Sequence, residues 1–173
     1  MATEVLGTYT PEEVTVVISG EFGVHTVTGF ADGTFINISR ITPASELYVG
    51  SDLTAFRVKR RNKAANIGIT LHQAAASNTV LQDIQAADEE DSGNTYVFSI
   101  LVKDSSGMSR FFARQAFIAT VPDVGFSSTA ENRDWAIQAV SMSMNLGGNT
   151  KLSPADVAVI EAMGGVVEAA WRL

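Results

Sequence analysis

Asn66-Ile67-Gly68-Ile69-Thr70-Leu71-His72-Gln73 sets Ile67, Ile69 and Leu71 against Gly68, Thr70 and His72, apolar and polar in strict alternation. Successive strand side chains point to opposite faces, so a period of two predicts a β-strand with one buried face. The same pattern extends to both sides. Residues 14–18 are a β-branched run closed by Gly20, and residues 56–61 resume the strand pattern. Residues 24–30 and 35–41 flank Ala31-Asp32-Gly33-Thr34. Asp-Gly between two β-rich runs predicts a hairpin, because glycine accepts the positive φ of a tight turn. Downstream, residues 96–103 and 110–121 bracket Asp104-Ser105-Ser106-Gly107 as a second hairpin, closed by Pro122. In residues 133–146, Trp135, Ile137 and Ala139 fall on one face and Val140, Met142 and Met144 on the other, until Gly147-Gly148-Asn149 breaks the run.

Two helices interrupt the strands. Ser77 reads as an N-cap, and residues 78–87 place Val80, Leu81, Ile84 and Ala87 on one stripe. Asp88-Glu89-Glu90-Asp91 then ends the helix as an exposed acidic loop. Ser153-Pro154-Ala155-Asp156 combines a cap, a proline at the first helical position and an acid in the first turn. It predicts a helix over 157–163, ended by Gly164-Gly165 and followed by an apolar tail with Trp171. Residues 42–54 differ: Pro43, Ser45, Gly50, Ser51 and Asp52 surround Leu47-Tyr48-Val49 and predict a long extended loop with an apolar tip. The expectation is one mainly β domain over 1–173, a sandwich or barrel of about eight strands with a central and a C-terminal helix. An N-terminal arm (1–13), the loop (42–54) and a C-terminal helix and tail (151–173) are its appendages.

A chain of 173 residues suits a single core. Charged residues are 18% of it, below the usual quarter or so, which suits a surface that meets copies of itself. The net charge of −7 repels DNA on average, and a protein built to grip phosphate is normally basic. Without cysteine there is no disulfide, thiolate nucleophile or cysteine metal site. The opening Met1-Ala2-Thr3-Glu4 lacks the order of a secretory signal, and no apolar run approaches the roughly 20 residues that span a bilayer. Use in a cytoplasm, with no membrane partner, is the expectation.

Catalytic constellations are missing from the pattern. His25 and His72 each lie inside a strand run with no carboxylate at ligand spacing. Gly125-Phe126-Ser127-Ser128-Thr129 lacks the second glycine of a nucleophile elbow, and Gly147-Gly148-Asn149-Thr150-Lys151 lacks Walker spacing. No catalytic, cofactor or metal site is expected. Two charge clusters remain. Arg57, Lys59 and Arg61, with Arg60 and Lys63 beside them, would share one strand face and pair with an acidic surface on a neighbouring subunit. Asp88, Glu89, Glu90 and Asp91 lack the spacing and glycine of a calcium loop and fit a subunit contact.

The order of these features carries a resemblance. Phe30-Ala31-Asp32-Gly33 precedes Ile36-Asn37-Ile38; Gly68-Ile69-Thr70-Leu71 leads to Ser77-Asn78 and Leu81. Val102-Lys103-Asp104 with Gly107, then Arg133-Asp134-Trp135, and Met144 with Gly147-Gly148-Asn149, complete the series. Across roughly residues 14–150 the chain resembles the tail tube subunits of contractile-tailed bacteriophages, related in fold to type VI secretion and bacteriocin tube proteins. The resemblance implies a β-sandwich subunit, hexameric rings stacked into a hollow tube, and DNA passing through its bore without specific binding. The partners it implies are further copies, a tail sheath, a baseplate and a tail terminator, in a virion tail assembled in the host bacterial cytoplasm. On that footing Leu47, Tyr48 and Val49 are expected to touch the next ring, Tyr48 as anchor. Another tube-fold component, such as a tail terminator or a secretion tube protein, is the alternative; a small-ligand-binding β-barrel follows it.

Overall fold

The computed structural model describes residues 5–173; Met1-Ala2-Thr3-Glu4, which open the predicted arm, lie outside the described residues. The strands are β1 (Val14–Gly20), β2 (Gly23–Thr26), β3 (Ile36–Arg40), β4 (Ser45–Val49), β5 (Ala55–Lys59), β6 (Ala65–His72), β7 (Phe98–Asp104), β8 (Arg110–Thr120), β9 (Asn132–Ala139) and β10 (Met142–Asn145). The helices are α1 (Ala76–Glu90) and α2 (Pro154–Ala162). Eight strands form one antiparallel sheet in the order β2-β1-β7-β8-β9-β6-β3, with β10 added to β8; β4 and β5 pair only with each other. The chain is mainly β, as the alternation predicts.

One face of the large sheet is buried throughout, by Val16 and Ile18 of β1, Ile67, Ile69 and Leu71 of β6, Ile100 and Val102 of β7, and Trp135 and Ile137 of β9. Seven strand places about 4.8 Å apart make a surface roughly 30 Å wide, whereas one helix is about 10 Å across. Helix α1, inserting Leu81 and Ile84, therefore covers only part of it, and the sheet curls over itself to cover the rest. Register shifts at Phe98/Ile100 and Ile118/Thr120 supply bends of the kind that curling needs. The sheet stops short of closure, leaving β2 and β3 as free edges.

Four sequence expectations change here. First, the Asp32-Gly33 turn forms, with Gly33 at φ 86°, but it is not a hairpin apex. Phe30 bridges Leu71 and Ile36 pairs with Ile69, so both flanks lie along β6 and residues 31–35 bulge out of a single strand line. Second, residues 132–145 break at Val140-Ser141. The break shifts the phase, so Met142 is buried on the same side as Trp135, Ile137 and Ala139, while Val140 is exposed. Third, α1 starts two residues early, with Ala75 at the cap position. Ser77 is fully buried instead: its Oγ accepts the Thr28 N–H at 2.9 Å and lies 2.9 Å from His25 Nε2. Fourth, the predicted loop at 42–54 contains strand β4.

The expected 104–107 hairpin is observed, and it is a hub. Asp104 Oδ1 accepts the N–H and hydroxyl of Ser106, and Asn149 Nδ2 donates to Asp104 Oδ2 at 3.0 Å. The Thr10 N–H donates to Ser106 Oγ, tying the N-terminal segment to the same turn. The C-terminal helix also forms as predicted, with the Asp156 N–H donating to Ser153 Oγ. The tail after it turns back: Leu152 bridges Arg172, whose guanidinium pairs with Glu161 at 2.7 Å.

Candidate assembly surfaces

Strands β4 and β5 form an arm inserted between two paired strands, β3 and β6. The Ile41 N–H donates to the Ala64 carbonyl and the Arg60 N–H to the Ala44 carbonyl, so the arm continues the β3–β6 ladder outward. Its register is Ser45↔Lys59, Glu46↔Val58, Leu47↔Arg57, Tyr48↔Phe56 and Val49↔Ala55. Residues directly opposite share a face. One face therefore carries Tyr48, Phe56, Val58 and Glu46, with the Tyr48 and Phe56 rings 4.8 Å apart. The other carries Leu47, Val49, Arg57 and Lys59. The three apolar residues predicted to act together are thus divided, Leu47 and Val49 from Tyr48. Of the predicted basic trio, Arg57 and Lys59 share a face, whereas Arg61 lies beyond the end of β5.

All ten residues of the two strands are exposed. An isolated two-stranded hairpin is marginal in water, so an uncovered ribbon is stabilised by what it meets. At its tip the Thr54 N–H and hydroxyl both donate to Asp52 Oδ1, at 3.1 and 2.6 Å, and the Gly50 N–H donates to the Thr54 carbonyl. The Thr54 hydroxyl and N–H hold the Asp52 carboxyl below its ordinary pKa. The knot forces Leu53 to a φ of 66° and leaves it 84% exposed. A branched side chain in the left-handed region costs about 1–2 kcal/mol, so the tip displays leucine at the expense of its own backbone. Leu53 was missed as a contact residue because turn residues surround it; Phe56 and Val58 lay in a run read as a strand, but Arg57, Lys59 and Arg61 drew the contact to its basic face.

The acidic cluster is less uniform than predicted. Asp88, Glu89 and Glu90 belong to the last turn of α1, not to a loop, and Asp91 caps it. Asp91 Oδ2 accepts the Thr95 N–H at 3.0 Å, which lowers its pKa. Among the described residues the ion pairs are Arg60–Glu46 and Arg172–Glu161, so the basic and acidic clusters do not meet within one subunit.

A second surface had no counterpart in the sequence reading. Where the sheet fails to close, an open cleft of about 680 Å³ runs along β3. Ile36 and Ile38 line one side, and Val102, Phe111, Met144 and Leu146 the other. Asp104 and Arg40 are its charged residues, and the Arg40 guanidinium donates to the Lys63 carbonyl. Among the described residues no cluster of His, Asp and Glu could hold a metal ion, and no helix is long and apolar enough to cross a membrane.

Comparison with known proteins supplies the family. The sequence model of the bacteriophage PhiTE tail tube protein family matches residues 6–147. Structural protein ORF10 of Pseudomonas phage KPP10 is 37% identical over 166 residues, covering 95% of this chain and 96% of that protein. Two cryo-EM structures share the fold at low identity. The tube-terminating cap of the anti-feeding prophage aligns with a TM-score of 0.50 at 12% identity, covering 84% of this chain and 95% of its own. The sheath/tube terminator of the extracellular contractile injection system PVC, in its extended state, aligns with a TM-score of 0.53 at 14% identity, covering 83% and 100%.

Proposed function

The chain belongs to the bacteriophage PhiTE tail tube protein family, a family of structural tail proteins and not of enzymes, and from that premise we propose that it is the repeating subunit of a phage tail tube. Copies form hexameric rings, and the rings stack into a hollow conduit inside a contractile sheath, bounded by baseplate and terminator. Genomic DNA leaves through the bore during ejection. The subunit is made in the host cytoplasm and remains in the virion tail. A net charge of −7 suits a wall past which DNA slides, since like charge prevents adhesion.

The observation that carries this reading is the β4–β5 arm, exposed along its whole length and with apolar side chains on both faces. The arm joins successive rings. Replacing residues 45–59 by a short Gly-Ser turn tests it, since the base pairing of Ile41 with Ala64 is retained. The variant should stay folded and form at most single rings by negative-stain microscopy, while the parent forms tubes. Normal tubes from the variant would remove the stacking role.

The similarity in fold to two terminators favours one other role, a ring that closes the end of a tube. A terminator halts at one ring at every concentration, whereas a tube subunit grows long polymers.

A further inference from the structure

The cleft along β3 and the β4–β5 hairpin are different surfaces of one chain, and the hairpin does not line the cleft. We propose that the cleft is the receptor for the hairpin of a second copy: Leu53 enters between Ile38 and Met144, and Arg57 and Lys59 face the acidic rim formed by Glu12, Glu13 and Asp104. The inference rests on the tube reading above and names the surface that the arm would meet.

Three observations support this pairing. The first is apolar fit. The cleft presents aliphatic and aromatic side chains at a size suited to several inserted groups, and the hairpin tip holds Leu53 outward in a backbone conformation that leucine disfavours. The second is charge. Arg57 and Lys59 have no carboxylate partner among the described residues. At the cleft, Asp104 lines the wall. The turn Pro11–Glu13, joined to the 104–107 hairpin by the Ser105 N–H on the Glu13 carbonyl, adds the exposed Glu12 and Glu13. Arg40, the cleft's own cation, is engaged by the Lys63 carbonyl. The third is separation: no residue of the hairpin lines the cleft, so one chain can act as donor and acceptor at once. A donor and an acceptor on different surfaces also make a head-to-tail contact, the kind that closes into rings or runs on as filaments.

The chain has no cysteine, so an introduced pair is the sole source of disulfide. A chain carrying Leu53→Cys and Leu146→Cys, oxidised after assembly, should run on a non-reducing gel as a ladder of dimers, trimers and longer species. Either single variant should stay monomeric on that gel, because the residue facing its thiol across the contact is a leucine. Separately, Arg57→Glu with Lys59→Glu should abolish assembly, and adding Glu12→Lys with Glu13→Lys should restore it. Particles that form without a ladder, or that yield one only when the second cysteine is moved to Glu89, overturn this receptor and leave the tube reading standing. Failure of the second charge pair to rescue the first overturns the contact with the rim. A parent chain that stays monomeric at every concentration overturns both.

Discussion

Gly29 has a φ of 82°, and a Cβ added there would lie 2.3 Å from the Cβ of Ala75 at the entrance to α1. Both the backbone and the close approach require glycine. Gly29→Ala should therefore destabilise the subunit by about 1–3 kcal/mol, read as a drop of roughly 2–4 °C in Tm per kcal/mol. Leu53→Gly should do the reverse for the isolated subunit, because it releases the strained tip. Its Tm should hold or rise by a few degrees, on the order of 1 kcal/mol, while polymerisation measured by light scattering weakens. Asp104 adds a pH signature. Burial pushes its pKa up, but the Ser106 and Asn149 hydrogen bonds outweigh that and leave it below the ordinary 3.8. A depressed folded pKa stabilises fully above the unfolded value, and the contribution fades as pH falls through the folded one. Asp104→Ala should thus lower Tm at neutral pH by an amount on the order of 1 kcal/mol, and the gap from the parent should narrow as pH falls below that ordinary value.

At the level of the element, what was legible depended on how local the deciding interaction is. Strand β6 was legible because Ile67, Ile69 and Leu71 alternate with polar residues and one face is buried. The β7–β8 hairpin was legible because its turn, residues 104–107, ties itself together with its own side chains. The partner of β3 was hidden because Ile36 pairs with Ile69, far along the chain, and a turn-forming Asp-Gly looks the same at a hairpin apex and in a bulge. Residues 56–61 were read as a strand, but the β4 half of the arm read as a loop because neither of its faces is buried, which removes the contrast that marks a strand. Its apolar residues were found as a contact site, but Leu47 and Val49 were not separable from Tyr48 until the pairing was known. The cleft joins residues from β3, β7, β8 and β10 and has no linear trace. The break at Val140-Ser141 was invisible for a similar reason, since either phase of 132–145 reads as a good strand. It makes a sharp prediction: because the break brings Met142 to the buried side and leaves Val140 exposed, Met142→Ser should destabilise the subunit, whereas Val140→Ser should be nearly neutral. Losing the burial of Met142 alone costs about 1.5–3 kcal/mol, so a strongly lowered urea midpoint is expected.

For the whole molecule, the balance of apolar and charged contact decides how assembly responds to salt. Arg57 and Lys59 are exposed, and charges at a contact rim are screened beyond about 10 Å at 0.1 M salt and about 3 Å at 1 M. Raising sodium chloride across that range should raise the critical concentration for polymerisation, as read by sedimentation. Ammonium sulfate, which strengthens apolar burial, should lower it. The rooting of the arm has a mechanical consequence. Because β4 and β5 run on from β3 and β6, a pull on the arm draws β6 lengthwise along β9. The eight register pairs from Ala65↔Ala139 to His72↔Asn132 then carry the load together in shear, where a perpendicular pull would peel them one by one. Axial tension on the arm is borne by the whole β6–β9 ladder, one strand in from the β3 edge, and the subunit resists stretching most along the direction in which its arm points.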